Sequence, residues 1–81
     1  MTTLYVLDVP ENTTVPKVAS ENPAVTISKV GPYFEIRADG EILVDRRATD
    51  CRHAVWYSCV AGVADGRITQ HDKDALRVEA T

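Results

Sequence analysis

Three short runs rich in β-branched and aromatic residues follow one another in the middle of the chain. They read AVTISKV, PYFEIRA and EILVD, fall between residues 24 and 45, and are joined by two glycine-containing turns. Such runs are typical of antiparallel strands. A three-residue loop that ends at Gly40 sets Ile36 opposite Ile42 and collects the apolar side chains on one face. The sequence therefore predicts a β-meander with one apolar face.

The stretch RATDCRHAVWYSCVAG follows at residues 47 to 62 and holds two cysteines, a histidine, a tryptophan and a tyrosine. Its apolar residues recur at helical spacing, Thr49 or Asp50 is a suitable N-cap, and Asp65-Gly66 supplies a C-terminal stop. We expect one main helix that ends near Ala64 and packs against the meander.

The two ends of the chain complete the predicted fold. Residues 3 to 9 predict a first strand, and the proline-rich segment from Pro10 to Pro23 predicts a long irregular loop. The capping-box pattern from Thr69 to Asp72 predicts a short C-terminal helical turn, followed by a final strand at residues 76 to 79. With 81 residues in all, the chain is expected to form a single α+β domain over residues 1 to 81.

The two cysteines, Cys51 and Cys59, share one stripe of the predicted helix. Eight residues at 1.5 Å rise separate them by about 12 Å on a helix, too far for a disulfide. The zinc-binding spacings are absent, and free cysteine is commonly buried. We expect reduced, buried thiols and no metal, cofactor or catalytic residue. A reactive Cys51 beside Arg47 is the alternative.

Charge and hydropathy limit the classes of partner. Nine Lys and Arg against twelve Asp and Glu give a net charge of −3, with no basic tail. No segment approaches the roughly 18 apolar residues of a membrane span. We expect a cytoplasmic protein that does not bind membranes and is unsuited to nucleic acid.

A second apolar stripe of the predicted helix is the candidate interface. It consists of Trp56, Val60 and Val63, with Tyr57 beside it. Tryptophan and tyrosine often dominate the binding energy of protein interfaces. The stripe requires a cover, which is either a protein partner, a second copy in a homodimer, or another part of this chain. The first hypothesis is therefore a non-enzymatic protein-interaction module.

Nucleic-acid binding is the alternative hypothesis. The predicted order of three strands and one helix over residues 24 to 64 resembles the arm-binding domains of phage integrases and the plant AP2 type, which lay a sheet in the major groove. The resemblance is one of topology without a shared motif, and the candidate contacts to nucleic acid are the basic cluster Arg46, Arg47 and Arg52. The predicted exposed sheet face, however, carries three acids and one base, whereas phosphate contacts need Lys and Arg.

The chain is rich in Ala and Val and has more Arg than Lys, and the stretch GPYFEIRADGEILVDRRATDCRHAVWYS is typical of this style. In this amino-acid composition the chain resembles the small orphan proteins of phages that infect high-GC actinobacteria. The resemblance implies a phage accessory protein that acts by binding a host or phage protein. It implies no catalytic or cofactor-binding residue.

Overall fold

Seven strands and three short α-helices make up the fold. The computed structural model describes all residues from 1 to 81. In chain order the elements are β1 (Thr2–Leu7), a 3-10 helix (Pro10–Asn12), α1 (Thr14–Ala19), β2 (Val25–Val30), β3 (Tyr33–Ala38), β4 (Ile42–Asp45), α2 (Arg46–Thr49), α3 (His53–Ser58), β5 (Val60–Ala64), β6 (Gly66–His71) and β7 (Ala75–Ala80). The predicted α+β class with antiparallel strands is confirmed.

Four antiparallel strands form the first sheet, in the order β2-β3-β1-β5. Side chains alternate between its two faces, as the pleat of a strand requires. Leu4 and Val6 of β1 are fully buried, and so is Ile36 of β3, which pairs with Leu4. The opposite face of this sheet is turned away from the core, and we call it the outer face.

The second sheet has three antiparallel strands in the order β4-β7-β6. Ile42 pairs with Val78 and Val44 with Leu76, and all four side chains are fully buried. The inner faces of both sheets and the helices share one core. Its 13 buried residues are Leu4, Val6, Val15, Ala19, Ile36, Ala38, Ile42, Val44, Cys51, Trp56, Cys59, Leu76 and Val78.

The predicted three-stranded meander is not formed, because β3 and β4 lie in different sheets. Gly40, between them, has a φ of 127°, a conformation open mainly to glycine. The chain leaves the first sheet there and enters the second. Ile36 and Ile42 are both buried, as predicted, but they pair with β1 and β7 rather than with each other. The alternation of apolar and polar residues thus predicted which side chains are buried, but it did not predict which strands pair.

The single main helix is also not formed. Asp50 is left-handed, with φ 57°, so α2 ends at Thr49 and neither residue is an N-cap. The helix α3 then ends at Ser58, whose hydroxyl donates to the carbonyls of Ala54 and Val55. The next residues form β5, because Val60 and Val63 can pair with β1. Short apolar runs fit a strand and a helix equally well.

The remaining differences lie near the two ends of the chain. The segment from Pro10 to Pro23 is not irregular throughout, because it holds the 3-10 helix and α1, which buries Val15 and Ala19. The predicted helical turn after Thr69 is instead part of the β6–β7 hairpin. The predicted first and last strands are confirmed as β1 and β7.

Candidate functional site

Three large apolar side chains lie side by side on the outer face of the first sheet. Leu7 of β1 is opposite Tyr33 of β3, and Tyr33 is opposite Val30 of β2. Their exposed fractions are 40%, 36% and 47%, respectively. Neighbouring strands are about 4.8 Å apart, so the three side chains form a continuous surface. We call them the apolar row.

A concavity of about 300 Å³ adjoins the apolar row. Its lining is Tyr5, Val30, Tyr33, Ala61 and Gly62. The strand β5 contributes only small side chains, at a point where its pairing with β1 shifts register. The concavity is therefore shallow on the β5 side of Tyr5. On the other side of Tyr5 lies Tyr33, and the two rings meet edge to face with centroids 6.5 Å apart.

A carboxylate is held beside the concavity by two neutral donors. The hydroxyl of Tyr5 donates to Oε2 of Glu35 at 3.0 Å, and the hydroxyl of Ser28 donates to Oε1 at 3.2 Å. The hydrogen bond to Glu35 raises the pKa of Tyr5, which keeps the phenol protonated as a donor. The two ion pairs of the structure, Lys29 with Asp8 and Arg77 with Glu41, do not include Glu35. The outer face therefore carries a fixed negative charge without a paired cation.

The structure does not place the predicted interface residues on one surface. Trp56 is fully buried, and its Nε1 donates to the carbonyl oxygen of Asp72 at 2.6 Å. This contradicts Trp56 as an interface anchor, because the side chain belongs to the core. Val60 and Val63 lie on β5 and pack partly buried against that core. Tyr57 is 49% exposed, and its role in an interface stays a prediction.

Tyr57 belongs to an aromatic cluster that contains both histidines. Its ring lies 6.4 Å from that of His53 and 5.2 Å from that of His71. His71 also meets the ring of Trp56 at 5.5 Å, and its Nε2 lies 3.1 Å from the Trp56 carbonyl oxygen. These contacts join the exposed side of α3 to β6.

The predicted nucleic-acid contacts are only partly free. Arg46 donates from Nε to the Lys73 carbonyl, and its backbone N–H donates to the Asp74 carbonyl at 3.0 Å. This arginine thus ties α2 to the β6–β7 turn. Arg47 and Arg52 are exposed. The basic cluster therefore offers two side chains rather than three for contacts with phosphate.

Both cysteines are buried, as predicted. Burial raises the pKa of the Cys59 thiol to about 11, and this thiol donates to the Trp56 carbonyl at 3.0 Å. The sulfur of Cys51 lies 3.7 Å from the Thr14 hydroxyl. No three His, Cys, Asp or Glu side chains come together in a group that could hold a metal ion. None of the helices has the length and hydropathy to cross a membrane.

The sequence did not predict the apolar row, because its three residues come from three different strands. The sequence placed Tyr33 and Glu35 on an exposed sheet face, and this part is consistent with the structure. The predicted meander already placed the strand of Val30 beside β3, whereas Leu7 could be added only once β1 was known to flank β3 on its other side. The alternation of Tyr5 and Leu7 with buried residues of β1 was the available signal.

No family model matches the chain, and no curated protein matches its sequence. The fold is similar to that of a chain in the solved structure of a phenol hydroxylase–regulatory protein complex, with a TM-score of 0.79. The two chains are 14% identical, and the match covers 99% of this chain and 98% of the other. At this level of identity the likeness shows a shared fold, which extends over the whole of both chains.

Proposed function

We propose that this protein is a non-enzymatic module that regulates a larger protein by binding it through the apolar row and the adjoining concavity. The observation that carries the proposal is the row itself, since Leu7, Tyr33 and Val30 expose a contiguous apolar surface beside polar side chains. Apolar patches with a polar rim mark protein-interaction sites. Nothing in the chain's own fold covers this surface.

The fold supports a regulatory role. The similar chain belongs to a complex of a phenol hydroxylase with a regulatory protein, and the match spans both chains. By analogy, we propose an enzyme as the partner of this chain, with the present protein as the component that modulates it. The origin in a phage of actinobacteria stays a prediction. In that setting the partner is a host or phage enzyme.

Nucleic-acid binding has less support than protein binding. Arg46 is engaged within the chain, and the outer face of the first sheet carries Glu35 beside the apolar row. Exposed phosphates require free Lys and Arg at the contact.

A matched pair of substitutions tests the docking surface. Val30 on β2 and Leu43 on β4 are each 47% exposed, one on the first sheet and one on the second. We expect wild type and Leu43→Asp to co-purify the same enzyme from the native cells, as identified by mass spectrometry. Val30→Asp places a charge in the apolar row and should weaken binding to the purified partner by about tenfold or more.

The same pair shows when the proposal fails. Equal binding by Val30→Asp and wild type would exclude the apolar row as the docking surface. Loss of binding in Leu43→Asp alone would move the interface to the second sheet. Binding that leaves the turnover of the partner unchanged would contradict the regulatory role.

A further inference from the structure

The docking surface combines an apolar concavity with a negative charge, and together they specify a partner segment. We infer that the partner inserts one aromatic side chain into the concavity and places an Arg or Lys against Glu35. This inference rests on the proposed function and adds the chemistry of the partner to it. The occupant is an extended segment of another protein.

The concavity has the size and lining for one ring. Its volume of about 300 Å³ leaves room for one ring, although it is open to solvent, unlike the enclosed cavity of roughly 150 Å³ that holds benzene. Tyr5 and Tyr33, which contact each other edge to face, form the aromatic part of the lining, and Gly62 adds no side chain to it. Aromatic pairs favour edge-to-face and offset contacts with such walls. An aromatic ring of the partner therefore gains more binding free energy in the concavity than a small side chain would.

The charge beside the concavity selects a cation. Glu35 accepts one hydrogen bond on each carboxylate oxygen, whereas a carboxylate offers about four acceptor positions. Its remaining positions are available to N–H groups of Arg or Lys, and such charge-assisted bonds are stronger than neutral ones. Asp8, at the same end of the sheet, is already neutralised by Lys29. Arg37 lies two residues beyond Glu35 along β3, on the same face and farther from the apolar row. The charged side chain that lies nearest to the apolar row without an ion pair is thus the acidic Glu35.

The spacing along β3 sets the spacing in the partner. Tyr33 and Glu35 occupy alternate positions and project from the same face, about 7 Å apart. Alternate side chains of an extended partner segment have the same separation. The complementary pattern is an aromatic residue, any residue, and then Arg or Lys.

Three acetylated and amidated tripeptides serve as probes: Trp-Thr-Arg, Trp-Thr-Glu and Ala-Thr-Arg. Amide NMR shifts of the isotope-labelled protein report the contact. We expect Trp-Thr-Arg to bind with a Kd on the order of 1 mM and to shift Tyr5, Tyr33 and Gly62. Trp-Thr-Glu should bind about two- to fivefold more weakly, as for an exposed ion pair, and Ala-Thr-Arg should give no measurable shift. Glu35→Gln should abolish the difference between the two tryptophan peptides.

Each other outcome overturns the inference. Equal binding of Trp-Thr-Arg and Trp-Thr-Glu would exclude the cation, and shifts outside the concavity would exclude the ring pocket. A wild type that is dimeric in sedimentation, with Val30→Asp monomeric, would assign the surface to a second copy of this chain. If the peptides fail while Val30→Asp still loses the enzyme partner, the inferred chemistry is wrong and the proposed function stands.

Discussion

Trp56 is the largest side chain of the core and also a hydrogen-bond donor inside it. Trp56→Ala creates a cavity and leaves the Asp72 carbonyl without its indole partner. We expect the free energy of unfolding to fall by about 3–5 kcal/mol. The free energy of unfolding of native proteins is about 5–15 kcal/mol, so this loss is a large fraction of it. Urea unfolding followed by circular dichroism measures it.

Trp56→Phe serves as the control, because it keeps most of the ring volume and removes the indole donor. A loss of about 1–3 kcal/mol is expected for it. An alanine variant as stable as wild type would mean that Trp56 is not packed as described.

Asp72 stabilises the β6–β7 turn in a pH-dependent way. Its Oδ1 accepts the backbone N–H groups of Asp74 and Ala75 at 2.9 and 3.0 Å, and these bonds, with one from Gln70, lower the pKa of its carboxyl. A lowered folded-state pKa adds stability above the unfolded value near 3.9, and this stability is lost as pH falls through the folded value. We expect the melting temperature of Asp72→Asn to change less than that of wild type below about pH 4.

Melting curves between pH 7 and pH 2 check this expectation. Asp39→Asn, at an exposed turn position, controls for the removal of one negative charge. Parallel curves for wild type and Asp72→Asn would show that these hydrogen bonds do not favour the ionised carboxyl.

At the level of elements, β5 passes into β6 through Asp65 alone, so Gly66 lies where the two sheets approach each other. A Cβ on Gly66 would lie 2.8 Å from Thr2 Cγ2 and 2.9 Å from the Glu79 carbonyl oxygen. The backbone oxygen cannot move away easily. We expect Gly66→Ala to cost about 1–3 kcal/mol in thermal or urea unfolding.

Gly62→Ala is the matched control on β5. Its Cβ would meet only Tyr5 Cδ2, at 4.0 Å, which is an ordinary contact. This variant should unfold close to wild type. Equal losses in the two variants would show that removal of glycine, rather than the steric contact at Gly66, determines the effect.

The elements also show what local sequence can and cannot predict. The alternation of Phe34 and Ile36, and of Ile42 and Val44, is enough to predict strands and their buried faces. It cannot select β1 and β7 as the pairing partners, because those strands are distant in the chain. The segment from Val60 to Ala64 fits a helix by spacing, and only pairing with β1 makes it a strand.

At the scale of the molecule, the candidate site also depends on contacts between distant segments, which local sequence does not predict. Trp56 was a reasonable anchor from composition alone, since tryptophan is enriched at interfaces. Its burial depends on the contact of α3 with the β6–β7 hairpin, which no local pattern encodes. Tyr33 and Glu35 were predictable as exposed, but the row needs Leu7 and Val30 from two other strands.

The central position of β1 in the first sheet also sets an order of events during synthesis. The first strand in the chain lies between β3 and β5, and its second neighbour begins only at Val60. At typical elongation rates of 5–20 residues per second, Val60 follows Leu7 by about 3 to 10 s. During that interval the edge of β1 that pairs with β5 has no partner strand. This edge of β1 thus stays unpaired for far longer than the microseconds in which a hairpin closes.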